Sequence, residues 1–393
     1  KDSDPAVVVL DPAGRFAVPL LGGHGAGGEA LAQRIAALLG GEAVLTGASA
    51  AAGQVALDAF GTPWGWRRGG GDWSDLIKRA QRQQPPALRH DHGNDRWRQL
   101  PGLQGWQADP NQPPLVVSVE PGPGCRWHPP ALWLGIGCER GTSVSLLERL
   151  VEQGLAAQGL AAEAVAGLAS AERKADEPAL LELAERRGWP LRCFSSPELA
   201  AVEVPNPSAV VLEELGTASV AEAAALLAAG PGCALRQTKR IERAQGQEQG
   251  AATLAIAQAR QQWAPQRGQL HLIGSGPGSL ELLTPDARAA LAESCVWVGY
   301  GLYLDLLEPL RRPDQLRSDG TLTEERQRCQ EALELACQGL TVALVSSGDS
   351  GIYGMAGLAL EQWMALAEAD RPRFNVHPGI SALQLAAARA GAP

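Results

Sequence analysis

Apolar and polar positions fall into three stretches where strand-like and helix-like patterns alternate, separated by two stretches with neither pattern. In the first, the apolar runs Val7 to Leu10 and Phe16 to Leu21 precede Glu29 to Leu39, where Leu31, Ile35, Leu38 and Leu39 recur at helical spacing and Gly40-Gly41 marks a stop. The second has strand candidates at Leu132 to Gly137, Ala164 to Leu168, Leu191 to Phe194 and Ala234 to Arg236. Helices separate them: Ser196-Pro197-Glu198 opens one, and Ser219 with Glu222 predicts a capping box before an Ala/Leu run that Gly230-Pro231 ends. The third carries strand candidates Leu270 to Ile273, Val296 to Val298, Thr341 to Val345 and Phe374 to Val376, each followed by a glycine-bearing loop. Such alternation predicts an α/β protein of several parallel-sheet units in tandem, with the loops after the strands gathered on one edge of each sheet.

The intervening stretches have a different texture. Residues 58–130 are rich in Gly, Pro, Gln and Trp, with Gly69-Gly70-Gly71, Pro85-Pro86 and Pro113-Pro114, which predicts a linker or loop-rich insert. The Gln, Glu and Ala of 241–268 predict an exposed helical linker. The expected organisation is therefore an N-terminal α/β piece at 1–57, the middle region, an α/β domain at 131–240, the linker, and an α/β unit at 269–393. No repeat of fixed period is visible. The chain lacks an initiator Met, opens into a strand and stops just after a helical pattern, so both ends read as cut from something longer.

Composition narrows the function classes. With 45% hydrophobic and 20% charged residues the chain is cored and globular rather than disordered. A net charge of −9 argues against nucleic acid or anionic membrane surfaces as partners. No long uncharged apolar segment and no signal-peptide pattern occur, which predicts a cytoplasmic protein. The seven cysteines are scattered without a CxxC pair, so neither a disulfide framework nor a thiolate metal site is expected.

Candidate chemistry sits in the glycine loops. Gly274-Ser275-Gly276-Pro277-Gly278-Ser279 joins a strand to a helix that Thr284-Pro285-Asp286 should start. It departs from the dinucleotide fingerprint at Ser279, and the next strand ends at Gly299 where a ribose-binding acid belongs. With Ser346 to Gly354 and Pro378 to Ala382 it makes three such loops, whose backbone groups could grip a nucleoside-like cofactor; Asp349 would either bond that cofactor or cap its own loop. Upstream, Gly135 to Gly141, with Gly137 and Arg140, is a second strand–loop–helix junction, either an anion site at a helix start, with Thr142 or Ser143 as its cap, or a tight packing turn. Lys174-Ala175-Asp176-Glu177 is either a solvated helix start or a cation with an adjacent acid facing a substrate carboxylate. His24, in a glycine loop, could serve as a general base or simply bond backbone. His90-Asp91-His92 reads as a solvent-facing trio rather than a metal site, and Trp64, Trp66, Trp73, Trp97 and Trp106 as packing residues of the insert rather than a stacking platform. No Gly-x-Ser-x-Gly elbow is present.

These motifs carry two resemblances. Gly274 to Gly278 with Leu282-Leu283-Thr284-Pro285, Val298-Gly299-Tyr300, Ser346 to Met355, Pro378 to Ala382 and Gly391-Ala392-Pro393 resemble the tetrapyrrole methylases, and among them precorrin-3B C(17)-methyltransferases. The resemblance implies S-adenosylmethionine held between two α/β subdomains, the second beginning about where this chain ends, with Gly276, Pro277, Gly278, Ser347, Gly348, Asp349, Ile352, Ser381 and Ala382 at the cofactor. Leu21 to Gly28, Leu134 to Thr142, Lys174 to Glu177 and Gly216 to Glu222 resemble cobalt-precorrin 5A hydrolases, which open a macrocycle lactone and release a two-carbon aldehyde. Gly28-Glu29-Ala30 and Thr46-Gly47 stand where that family carries an Asn and a Thr pair. For that half, His24 and Lys174 are the candidate catalytic residues, and Gly137, Arg140 and Lys174 the candidate substrate contacts.

The combined expectation is a fusion of two cobalamin-pathway enzymes acting on an anionic tetrapyrrole, with S-adenosylmethionine as cofactor, no metal, and a homodimer left open. The rivals are a non-catalytic tetrapyrrole carrier or scaffold and a nucleotide-dependent oxidoreductase, the latter disfavoured by Ser279 and Gly299.

Overall fold

The computed structural model describes residues 5–21, 27–45, 55–82, 84–104, 107–207 and 219–392. His24, Thr46-Gly47, Trp106 and Gly216 to Ala218 lie outside them.

In the first unit, β1 (Val7–Leu10) pairs antiparallel with β2 (Phe16–Leu21), and β2 pairs parallel with β3 (Glu42–Ala43). Helix α1 (Gly28–Leu39) ends where Gly40 adopts φ 67°, and its Ala32 and Ala36 bury against Ala17.

The middle region departs from the linker expectation. Its strands β4 (Arg67–Arg68), β5 (Leu88–His90), β6 (Leu115–Val117) and β7 (Arg126–His128) form a small sheet in the order β4-β7-β6-β5, with α2 (Trp73–Gln81) beside it. Trp64, Trp66, Trp73, Trp97 and Trp127 are buried in one core that continues into the sheet of the last unit. Low-complexity texture concealed this because tryptophan supplies much apolar area per residue without any periodicity. His90 and His92 are correspondingly half-buried rather than solvent-facing; His90 Nδ1 accepts the Trp97 indole N–H at 3.0 Å.

The second α/β unit is a five-stranded sheet of order β10-β9-β8-β12-β11, built from β8 (Leu132–Cys138), β9 (Val165–Ala171), β10 (Leu191–Phe194), β11 (Ala234–Arg243) and β12 (Ala251–Gln258). Strands β8 to β10 are parallel; β12 joins β8 antiparallel and carries β11. The linker reading of 241–268 is thus corrected: much of it is sheet. The Ala/Thr/Leu/Ile run has no helical face to bury, and in β12 Leu254 and Ile256 point to one core while Ala255 and Ala257 point to the other. One face is covered by α3 (Val144–Ala157) and α4 (Pro178–Arg187), and the other by the Ala-rich α6 (Val220–Ala229), which follows the short α5 (Ser196–Ala200). Ser195 and Glu198 make a capping box at α5, but the one expected at Ser219 does not form. Glu222 is fully buried and instead accepts from Asn206 N and Nδ2 and from Lys239 N, a stronger use of a buried carboxylate.

The last unit is an all-parallel sheet of order β15-β14-β16-β13-β17: β13 (Gln269–Gly274), β14 (Val296–Tyr300), β15 (Leu316–Gly320), β16 (Thr341–Ser346) and β17 (Arg373–His377). Alternate residues face opposite sides. Ile273, Trp297, Ala343 and Val345 meet α7 (Pro285–Glu293) and α8 (Gly301–Leu307). Leu270, Leu272, Val298, Val342 and Leu344 share the tryptophan core with α9 (Glu325–Cys337) and α10 (Ala356–Met364). Helix α11 (Ala382–Ala390) follows β17. Gln262, fully buried in the former linker, ties the units together: its Oε1 accepts from Trp66 Nε1 at 2.7 Å and its Nε2 donates to Trp64 O and Gln338 O.

Candidate functional sites at two sheet edges

The strand order brings the three expected glycine loops together, because β16, β13 and β17 are adjacent. Gly276 and Gly348 exchange backbone hydrogen bonds of 3.0 and 2.8 Å, an isolated bridge that locks the first loop to the second. The third loop is packed equally tightly: a Cβ at Gly379 would stand 2.1 Å from Gly348 O and 2.5 Å from Gly274 O. Gly274 and Gly379 serve close loop-on-loop approach, and Gly276, Gly278 and Gly348 adopt φ of 73°, 113° and 62°. Asp349 braces the assembly, its Oδ1 accepting from Gly351 N at 2.8 Å and its Oδ2 from Gly379 N at 3.1 Å. Of the two roles open to Asp349, its own-loop cap is observed, with a second bond across to the neighbouring loop. Ser347, Ile352 and Ala382 are exposed, Pro277, Gly278 and Gly348 half-exposed, and Ser381 is buried as the cap of α11, accepting from Gln384 N. Backbone and small side chains dominate these loops, with the half-exposed Asp349 their charged group, an arrangement suited to a polar nucleoside-like group held by amides and carbonyls. Thr284 caps α7 as expected, accepting from Ala287 N.

Beneath this edge lies a chain that sequence reading did not reach. Asp286 Oδ2 meets His377 Nδ1 at 2.5 Å, and His377 Nε2 meets His271 Nδ1 at 2.9 Å. His271 Nε2 is buried without a partner, and burial, with the charge of His377 adding to it, pushes the His271 pKa down to about 4. His377 lies 106 residues after His271 and meets it because β13 and β17 pair, while Asp286 reaches His377 from the first turn of α7.

The second edge is ionic. Gly135 to Gly141 leads from β8 to α3, and Lys174 to Glu177 leads from β9 to α4. Glu177, 1% exposed at the start of α4, accepts from Gly141 N at 3.0 Å through Oε1. Its Oε2 lies 3.5 Å from Arg140 Nη1 and 3.7 Å from Lys174 Nζ, inside ion-pair range though outside hydrogen-bond geometry. Arg140 also binds Asp176 at 2.7 Å and the Arg173 carbonyl at 2.6 Å. Lys174 is therefore not a freely solvated helix start; its side chain is 17% exposed and faces a buried acid. The centre of the cluster is Glu177, and an acid directly before a proline at a helix start was the available signal. Ser143 occupies the cap position of α3 but accepts from Gln249 N instead of its own helix. Gly137 has a packing role: a Cβ there would come within 2.7 Å of Thr253 Oγ1 on β12. Burial raises the Cys138 thiol to about 11, so it stays protonated. Among the described residues no group of three or more His, Cys, Asp or Glu could hold a metal ion, and no helix is long and apolar enough to cross a membrane.

Two α/β units in tandem, each with loops gathered at the carboxyl ends of its parallel strands, one edge lined mainly by backbone and one by paired charges, define the fold class. The family matches follow the same division. Residues 269–393 match the Tetrapyrrole (Corrin/Porphyrin) Methylases, 132–257 the Cobalamin synthesis G C-terminus and 1–50 the Cobalamin synthesis G N-terminal family. In chain order, then, separate segments match cobalamin synthesis G models and a tetrapyrrole methylase model.

Similar proteins agree. The cobalt-factor III methyltransferase of Priestia megaterium is 44% identical over 129 residues, 32% of this chain and 24% of that protein. The cobalt-precorrin-5A hydrolase of the same organism is 29% identical over 251 residues, 58% of this chain and 67% of that protein. The crystal structure of the methyltransferase CobJ is 38% identical over 32% of this chain and 52% of that one, with a TM-score of 0.30. The chain spans between a quarter and a half of the methyltransferases it matches, and about two thirds of the hydrolase.

Proposed function

We propose that the protein acts in corrin-ring construction, joining S-adenosylmethionine-dependent methylation at carbon 17, with ring contraction, to a cobalt-precorrin-5A lactone hydrolase activity. The observation that carries this reading is the pair of edges: a backbone-held three-loop cradle on the methylase unit and a buried acid between two cations on the cobalamin synthesis G unit. The residues at the first edge fit the methyl donor. Its backbone groups and the exposed Ser347 would hold the polar ends of the cofactor, and Ile352 and Ala382 its apolar surface. When bound, the cofactor supplies an electrophilic methyl group; the protein contributes alignment and exclusion of water. Asp349 acts as a positioning residue through the loops it braces.

At the second edge, Arg140 and Lys174 would orient carboxylates of the anionic macrocycle, with Glu177 fixing both cations. His24 is the candidate base for water attack on the lactone, and Lys174 a second candidate catalytic residue. Mass spectrometry of a cobalt-corrin precursor incubated with the protein, with and without S-adenosylmethionine, tests the reading. One added methyl that requires the donor, and a two-carbon aldehyde released without it, are expected; an unmodified macrocycle that nonetheless binds would favour a carrier.

A further inference from the structure

A cleft of about 510 Å³ opens where the middle region, the end of α4 and the segment before β13 meet, away from both loop edges. Trp66, Arg67, Glu185, Trp189, Gln266 and Arg267 line it. Two arginines from sequence-distant segments share this space, and among the described residues neither has a carboxylate within 4 Å. Arg67 spends one donor on Gly188 O at 3.2 Å. Arg267 spends two, on Val165 O at 2.6 Å and Gly65 O at 3.4 Å. A guanidinium has five N–H donors, so most of both forks is uncommitted. The indole N–H of Trp189 is likewise buried without an acceptor.

Two like charges held together are unfavourable unless something between them is negative. Burial and the neighbouring Arg67 push the Arg267 pKa down to about 9, so the cation is present at neutral pH but strained. Glu163 attracts Arg67 from a distance without pairing with it, and the exposed Glu185 on the cleft wall is a built-in negative charge that a bound anion would meet. Paired arginine forks beside aromatic walls suit a planar oxyanion carried on an apolar body.

We propose that Arg67 and Arg267 form a binding site for a carboxylate- or phosphate-bearing small molecule at the junction of the three regions. The inference does not rest on the proposed function, because neither loop edge contributes to the cleft. The shared chemistry has two sources, a free anion or the carboxylate fringe of a tetrapyrrole, and the test separates them.

Calorimetry on the intact chain would use inorganic phosphate, citrate and uroporphyrin in turn. At least one is expected to bind, with Arg67→Gln weakening it by about tenfold or more and Arg67→Lys recovering part of the loss. Glu185→Gln, on an exposed position, should tighten the same ligand by about twofold by removing a competing negative charge. Uroporphyrin binding without phosphate or citrate binding assigns the site to tetrapyrrole carboxylates, and the converse assigns it to a free anion. Arg267→Gln is the less informative variant, since the loss of its bonds to Val165 and Gly65 can unfold the junction; Arg67→Gln, with one such bond, is judged after its circular dichroism matches the parent. Binding of none of the three probes, or binding that a folded Arg67→Gln leaves unchanged, overturns the proposal.

Discussion

The two loop edges are held together by opposite means. On the methylase unit the loops are bound to each other by backbone, through the Gly276–Gly348 bridge and the Asp349 brace, and no ion pair crosses them among the described residues. On the cobalamin synthesis G unit the loops are bound by charge, through Glu177, Arg140, Lys174 and Asp176. A backbone cradle depends on glycine at fixed places and is indifferent to salt; a charge cluster tolerates substitution of its backbone but not of its one buried acid.

Gly379→Val offers the strongest way to break the contrast. Its Cβ would need the space of Gly348 O and Gly274 O, so S-adenosylhomocysteine binding should be lost and stability should fall by about 3 kcal/mol or more, read by calorimetry and by urea denaturation. Retained binding would show that the three loops need not be packed to work.

A second prediction concerns the chain beneath that edge. His271 has a folded-state pKa near 4, below its ordinary value of 6.5, so the unfolded protein binds more protons in between. The stabilising contribution is full above about pH 6.5 and is lost as pH falls toward 4, on the order of 2 to 3 kcal/mol at the bottom of that window. Comparing urea midpoints of the parent and His271→Asn across this range isolates the residue from other acid-labile groups. Parallel pH profiles would refute the assignment.

Glu177→Gln removes the negative charge but keeps the shape, leaving Arg140 and Lys174 facing a neutral amide. We expect a stability cost of about 2 kcal/mol, a weaker salt dependence at this edge, where the Arg140–Asp176 pair remains, and unchanged S-adenosylhomocysteine affinity, since the edges are separate. A change in cofactor affinity would mean that the two edges are coupled.

Asp349→Ala should act more mildly. It frees Gly351 N and Gly379 N without adding bulk, so S-adenosylhomocysteine should bind about tenfold more weakly, roughly 1.4 kcal/mol, with Asp349→Asn recovering part of the loss through the same acceptor. Equal affinity in all three proteins would leave the brace without a role in binding. Smallest is Lys174→Ala, expected to cost about 0.5 kcal/mol of stability while reducing aldehyde release; normal release would remove Lys174 from the hydrolytic step.

Much of this was legible in the chain. Val7 to Leu10, Phe16 to Leu21 and Leu191 to Phe194 are strands over those same residues, and four of the five strands of the last unit were placed to within two residues, because β-branched runs bounded by glycine have few other uses; β15, with no such run, was not recognised. The three glycine loops were readable for the same local reason. The middle region was not, since buried tryptophans at irregular spacing carry no period; β11 was recognised only over Ala234 to Arg236, and its remainder and β12 were missed because Gln, Glu and Ala suggest a helix whenever the partner strand is out of view.

Local chemistry therefore determined where strands, caps and glycine turns fall, since these depend on neighbours within a few residues. Which loops meet was decided by strand order: placing β13 between β16 and β17 assembles the cradle and the Asp286–His377–His271 chain together. Only the folded chain could bury Glu177 between Arg140 and Lys174, or leave Arg67 and Arg267 unpaired in one cleft. Charge compensation is a property of distances in space, and sequence separation does not constrain those distances.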